Sequence, residues 1–244
     1  MKFFTACLIL ILVLFASMTR AQNPFNDMDQ RDEETVVLLH GLARSNAAMW
    51  VLNIRLKRAG YHVEPVGYRS LRHTPEQIMQ DITAQIDRCC KESHSTVHFV
   101  GHSLGGLLIR KYLQDNRIKN LGRVVLMGTP NQGASITDYI RDKWWAQLAG
   151  PTAMALGTGE SSFPNSLDDP YYPVGVIAGV ININHNEHML PGEDDGLVSI
   201  EATKLKGMSD FVLINTGHSM MRYNEEVAIQ AISFLRNGHF NKAD

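Results

Sequence analysis

The chain has little cysteine: three residues in 244, one of them, Cys7, inside an apolar N-terminal run. That is too few for a disulfide framework, so a packed core has to hold the fold. The other two, Cys89 and Cys90, are adjacent. Neighbouring cysteines close only a strained ring, so the expectation is a free pair or a pair bonded to another molecule. Charge of either sign is balanced, with 23 Lys and Arg against 25 Asp and Glu. No basic tract and no interleaving of aromatic with basic residues occurs, which argues against nucleic acid as a partner. No obligate protein partner is evident either. There is no repeat and no low-complexity segment, and 244 residues suffice for one sizeable α/β domain.

A run long enough to span a bilayer is missing too. Phe3 to Ala16 is almost wholly apolar, but it falls short of the ~20 residues a span needs. Lys2 supplies a positive start, and Thr19-Arg20-Ala21 offers small residues where a signal peptidase reads. Residues 1–21 are expected to be a cleaved signal peptide, with the folded domain at 22–244. No cysteine follows closely, so a lipoprotein anchor has no attachment point. The expected destination is secreted or periplasmic.

What is present is organised around Val100-Gly101-His102-Ser103-Leu104-Gly105-Gly106. An apolar run, Val97 to Val100, precedes it as a buried strand, and Leu104 to Leu113 follows as a helix. Gly-x-Ser-x-Gly between strand and helix is the nucleophile-elbow pattern. Glycines two before and two after the serine let the sharp turn pass close to other backbone. The helix start then aims its N–H groups at the site, which suits a developing oxyanion. Ser103 is expected to stand at an exposed turn.

Further segments follow in order: His40-Gly41-Leu42, Gly128-Thr129-Pro130-Asn131-Gln132-Gly133, Asp195-Gly196-Leu197-Val198 and Gly217-His218-Ser219. With the elbow, these make the chain resemble the α/β-hydrolase family, within it the bacterial lipases and esterases. The resemblance spans most of the mature chain. It implies a serine hydrolase that cleaves carboxylic esters through an acyl-enzyme and needs no cofactor; thioester hydrolysis, acyl transfer or peptide cleavage on the same triad, and a non-catalytic binding protein on a hydrolase scaffold, are the alternatives left open. Its substrate would be a small-molecule or lipid ester, with transient contact to a lipid surface. The first oxyanion donor would be the Leu42 N–H, just after His-Gly, and the second the Leu104 N–H. His40 itself is expected to brace the loop without moving protons. Many lipases carry a histidine after Gly-Thr-Pro, where this chain has Asn131.

Strand-like runs at Thr35–Leu39, Tyr61–Val66, Ser95–Val100, Leu121–Met127, Val174–Ile181 and Phe211–Asn215 alternate with helical stretches. The helical stretches are Ala47–Ala59, Pro75 to about Cys90, Leu104–Gln114 and Glu225–Leu235. This alternation predicts a mostly parallel, doubly wound sheet with helices on both faces. Between Ala134 and Pro173 the pattern weakens, and Trp144, Trp145, Leu148, Met154, Leu156 and Phe163 are interleaved with Gly, Pro, Ser and Asp. Such a long irregular connection reads as a small cap, residues 134–173.

The serine needs a base, and this fold orders its triad as serine, acid, histidine. His218 follows the last strand; its rival, His239, sits in a polar tail. Glu187, Glu193, Asp194 and Asp195 are the acids available. The resemblance places the acid at Asp195, before Gly196-Leu197-Val198, with Asp194 as runner-up. His185, Glu187 and His188 match no strong metal-ligand spacing and read as a solvated loop. Some relatives hold a structural calcium with aspartates, and Asp169 and Asp210 are the residues available, though no spacing supports it. Trp144, Trp145, Met220 and Met221 are expected to line the acyl-chain cleft.

Overall fold

The computed structural model of the chain describes residues 34–181 and 189–242. The signal segment and the His185, Glu187 and His188 run lie outside them. The strands are β1 (Thr35–Leu39), β2 (His62–Val66), β3 (Val97–His102), β4 (Leu121–Met127), β5 (Val174–Val180) and β6 (Asp210–Asn215). The α-helices are α1 (Trp50–Arg58), α2 (Pro75–Ile86), α3 (Leu104–Asp115), α4 (Ser135–Arg141), α5 (Pro151–Met154), α6 (Ile200–Thr203) and α7 (Glu225–Asn237). All six strands pair in parallel, in the order β2-β1-β3-β4-β5-β6. Pro65, which cannot donate to a ladder, is tolerated because β2 is an edge strand.

A parallel strand buried on both faces reads as a near-continuous apolar run. β1 shows the consequence: Val37 and Leu39 face one layer of core, Val36 and Leu38 the other. The first layer is filled by Ile78, Ile82 and Ile86 of α2 and by Leu104, Leu108 and Tyr112 of α3. The second is filled by Leu52 and Leu56 of α1 and by Val227, Ala231 and Phe234 of α7. Each of these large side chains is almost wholly removed from water, which is worth ~1.5–3 kcal/mol apiece before ordering costs. α2 begins where the sequence dictates: the Thr74 hydroxyl and Gln77 side chain satisfy each other's backbone N–H groups, and Pro75 opens the first turn.

The chain leaves β1 outward to β2, then returns to place β3 on the other side of β1. The crevice at that reversal lies outside the carboxyl ends of β1 and β3, where such sheets bind ligands. The loop carrying Leu42 follows β1, and Ser103 follows β3.

Two sequence expectations need correction. The helix predicted to run to about Cys90 ends as an α-helix at Ile86, and a π-helical turn covers Asp87–Lys91. In that widened turn Cys89 and Cys90 are disulfide-bonded to each other, so they are neither a free pair nor bonded to another molecule. Within 134–173, Leu156 is buried in the core and Phe163 packs against it, while Trp144, Trp145 and Leu148 are exposed, as are Tyr139 and Tyr171. This segment is tied to the loop after β2: the Thr152 hydroxyl donates to the His73 carbonyl, and Gly150 lies against the Leu71 carbonyl.

Candidate active site

Ser103 occupies the turn between β3 and α3 with φ 56° and ψ −124°, a region a non-glycine residue rarely visits. Tight packing holds it there. A Cβ on Gly105 would lie 2.6 Å from the Leu39 and His40 carbonyl oxygens. One on Gly101 would lie 2.6 Å from the Gly106 nitrogen. The start of α3 therefore presses directly onto the end of β1, and no other residue type fits either place. The Ser103 N–H donates to the Met127 carbonyl at 2.8 Å. The serine is only 7 % exposed, so the expected open turn is in fact the floor of a crevice.

His218 reaches the site from the loop after β6. Its Nε2 lies 3.0 Å from Ser103 Oγ and its Nδ1 2.7 Å from Asp195 Oδ2. A carboxylate only accepts, so Nδ1 carries the proton and Nε2 is free to accept from the serine hydroxyl. Asp195 comes from the loop after β5. Its Oδ1 accepts from the Leu197 and Val198 N–H groups at 3.0 and 2.8 Å, which leaves Oδ2 aimed at the imidazole. The His218 N–H also donates to the Asp195 carbonyl at 2.7 Å, locking the two loops together. Asp194 points elsewhere, accepting from the Gly196 N–H at 2.6 Å. His239 lies beyond α7, where its carbonyl accepts from the Ser233 hydroxyl.

The loop after β1 passes against the serine. A Cβ on Gly41 would sit 3.2 Å from Ser103 Cβ and 3.0 Å from His102 Nδ1. This close passage sets the Gly41 backbone against the serine, Leu42 is the next residue along the loop, and Leu104 begins the helix directly after Ser103. His40 braces the loop: its ring stacks on Tyr68 at 3.9 Å, and the Tyr68 hydroxyl donates to the His40 carbonyl. Burial lowers the His40 pKa, so its ring stays neutral.

Two participants escaped the sequence reading. His102, the variable residue of the elbow, is buried and donates from Nε2 to the His218 carbonyl at 2.9 Å. Its ring lies 4.8 Å from that of His218. Burial first, and then the neighbouring His218, push its pKa well down. Gly128, with φ 56°, sits beneath the pair; a Cβ there would lie 3.2 Å from both Asp195 Oδ2 and His218 Nδ1. No sequence signal marks His102, whereas Gly-Thr-Pro does draw attention to Gly128.

Asn131 also has an account. Its amide donates to the Thr203 carbonyl at 2.7 Å, and its side-chain oxygen accepts from Arg110 at 3.1 Å. Arg110 continues to the Leu167 carbonyl, so α3, α6 and the far end of 134–173 share one buried network. Of the residues expected to line an acyl cleft, Met221 is corrected: it is 1 % exposed and packs in the core behind the histidine, against Gly128 and Gly179. Met220 stays exposed on the same loop, and Trp144 and Trp145 are exposed at 90 % and 40 %. Among the described residues no group of three metal-ligating side chains comes together; Asp169 pairs with Lys206 and Asp210 with Lys242.

An open parallel sheet with a serine on a strand-to-helix turn defines an α/β-hydrolase. A family model for palmitoyl protein thioesterase matches residues 35–167, more than half of the chain, and the chain belongs to that family. No curated relative matches its sequence. Solved structures are similar in fold. The lipase BlEst2 of Bacillus licheniformis, in mature form, superposes with a TM-score of 0.71 at 18 % identity, covering 87 % of this chain and 95 % of that one. Phospholipase PlaB of Legionella pneumophila gives 0.62 at 14 % identity, over 84 % of this chain and 60 % of that one. A putative thioesterase of a Silicibacter species gives 0.58 at 16 %, over 83 % and 75 %. The chain is thus a hydrolase of the lipase, esterase and thioesterase kind.

Proposed function

We propose that the protein is an exported serine hydrolase of carboxylic esters, with Ser103 as nucleophile, His218 as base and Asp195 as the acid that orients it. The observation that carries this reading is the continuous chain from Ser103 Oγ through the two His218 nitrogens to Asp195 Oδ2, at 3.0 and 2.7 Å. Ser103 Oγ attacks the ester carbonyl carbon while its proton passes to His218 Nε2. The Leu42 and Leu104 N–H groups stabilise the carbonyl oxygen as it gains negative charge. The bond to the alkoxy oxygen breaks, and that oxygen leaves with the proton from Nε2. A water then gives a proton to Nε2 and its oxygen to the acyl carbon; the bond from that carbon to Oγ breaks, Nε2 returns the proton to Oγ, and the acid leaves with Ser103 restored. No cofactor enters.

A second reading, thioester cleavage on the same residues, is favoured by the family match. Only the leaving atom changes, from oxygen to sulfur, and one acyl-enzyme serves both. Export rests on the apolar run after Lys2 and the small residues before Gln22.

A fluorophosphonate probe should label the mature protein at Ser103. Ser103→Ala should abolish labelling and cut ester turnover by about 10⁶-fold, as removal of a triad nucleophile does elsewhere. Labelling that survives in Ser103→Ala would move the nucleophile.

A further inference from the structure

The Leu42 donor that the proposed chemistry needs sits on a loop held by the side chains of His40, Tyr68 and Ser70. His40 has the first hold: its Nδ1 lies 2.8 Å from the Gly41 carbonyl. A carbonyl only accepts, so Nδ1 carries the proton. The Gly41 carbonyl and the Leu42 N–H belong to one planar trans peptide and point in opposite directions. Fixing the carbonyl against the His40 ring therefore fixes the direction of the Leu42 N–H. Tyr68, from the loop after β2, stacks on that ring and donates its hydroxyl to the His40 carbonyl. Burial pushes the phenol well above its ordinary range, so the hydroxyl stays a donor.

Ser70 closes the far end. Its Oγ accepts from the Ala43 N–H at 2.9 Å, and the residue is only 3 % exposed. Ala43 has φ 55°, the left-handed region that a residue with a β-carbon rarely occupies. Among the described residues Ser103 is the other non-glycine residue there. The two lie on either side of one contact, the passage of Gly41 against the serine. Such a conformation persists only where its surroundings over-determine it. The loop that carries Ser70 is rigid enough to do so. Gln85 of α2 bonds to both the N–H and the carbonyl of Gly67, and the Thr152 hydroxyl donates to the His73 carbonyl.

We propose that Ser70 is a positioning residue for the cleavage reaction: by holding the Ala43 N–H it keeps Ala43 left-handed, and so keeps the Leu42 N–H aimed at the oxyanion. The proposal rests on the serine-hydrolase reading and gives a role to a residue which that reading does not use. No step of the reaction passes through Ser70; it acts through Ala43. Its effect belongs to the transition state. The substrate carbonyl is neutral when bound and gains its charge only on attack, so a loosened donor lowers kcat and spares KM.

The test uses the mature protein and a soluble ester. In Ser70→Ala kcat should fall about tenfold or more, short of the roughly 10²–10³-fold that outright loss of an oxyanion donor costs, with KM nearly unchanged. Ser70→Thr, which keeps the hydroxyl, should regain much of that loss. A trifluoromethyl ketone binds as a tetrahedral oxyanion adduct, so its affinity for Ser70→Ala should fall by the same factor as kcat/KM. The pH midpoint of kcat/KM should stay in place, because His218 and Asp195 are untouched. A second pair of variants does not disturb the core, since Ala43 is exposed. Ala43→Val, β-branched and poorly suited to positive φ, should lower kcat, and Ala43→Gly should cost far less. A Ser70→Ala enzyme with unchanged kcat and ketone affinity overturns the proposal, even if its urea midpoint drops. So does an Ala43→Val enzyme as active as Ala43→Gly, or a shifted pH midpoint in Ser70→Ala, which would trace the loss to the base. A wild type that neither turns over ester nor labels at Ser103 sinks the serine-hydrolase reading and this proposal with it. An active wild type matched by Ser70→Ala sinks this proposal alone.

Discussion

Asp194 and Asp195 are neighbours, and only the direction of their side chains separates them. Asp195 gives one oxygen to two backbone N–H groups and the other to His218, while Asp194 closes its own turn onto Gly196. Asp195→Asn should therefore cut turnover by about 10⁴-fold by permitting the wrong imidazole tautomer. Asp194→Asn should cost far less, and the reverse order in steady-state kinetics would move the acid. The histidines give a second prediction at this scale. Burial is the chief reason that His40 and His102 have pKa values below the ordinary 6.5. Folded, both stay neutral; unfolded, both take a proton as pH falls through about 6.5. The unfolded chain then binds more protons, so stability is full above about pH 6.5 and declines as pH drops toward the folded values. Each histidine steepens that decline by up to ~1.4 kcal/mol per pH unit. Urea midpoints near pH 7.5 and near pH 5.5 check it, and His102→Gln should lose less on acidification than the wild type. An unchanged acid dependence would remove His102 as a source. Ser103, Asp195 and His218 were legible because each follows a strand and carries a local signature. His102 was not, because its role depends on a carbonyl 116 residues away.

The elements repeat this pattern. Strands β1 and β4 have the bounds read from the sequence, because the apolar stretches Val36–Leu39 and Val124–Met127 are buried on both faces, although partly buried Thr35 and Arg123 belong to the strands as well. The end of α2 was not legible, since a π-helical turn and a bond between adjacent cysteines leave no periodic trace. Nor was the division of 134–173, where Leu156 and the exposed Leu148 are the same residue type with opposite fates. The elbow offers the sharpest test of an element contact. The β-carbon in Gly105→Ala would meet the Leu39 carbonyl at the end of β1 and the His40 carbonyl just after it, each at 2.6 Å, and neither strand nor helix can yield without shifting Ser103. The variant should lose about 1–3 kcal/mol or more by overpacking, and its activity should fall further than its stability. Gly159→Ala, with nothing within 4 Å of the added carbon, is the matched control and should stay within about 0.5 kcal/mol of wild type. Equal denaturation midpoints for the two variants would show that α3 does not press on β1 as described.

At the scale of the whole molecule, two groups of exposed side chains differ in kind. Arg44, Arg69 and Arg72 gather on the loops after β1 and β2. Trp144, Trp145, Leu148 and Met220 remain exposed on 134–173 and on the histidine loop. Exposed tryptophan and leucine at this density need an apolar partner, and an acyl chain, free or at a lipid surface, is the partner the proposed reaction supplies. Fewer residues contribute than the sequence suggested, because Leu156 and Met221 are buried in the core and Phe163 packs against it. The expectation of medium or long chains over acetate nevertheless stands on those that remain. Each buried methylene is worth ~0.8 kcal/mol, so four extra carbons add about 3 kcal/mol. If the contact persists into the transition state, that is roughly a hundredfold in kcat/KM. Methionine adapts to chains of differing length, so Met220 should broaden the optimum rather than sharpen it. Neutral esters from acetyl to octanoyl, kept below their aggregation limits, should show a rising kcat/KM. Trp144→Ala/Trp145→Ala should flatten that rise with little change at acetyl, since the shortest chain never reaches the rings. A flat or falling wild-type profile would mean that the exposed rings do not meet the acyl chain.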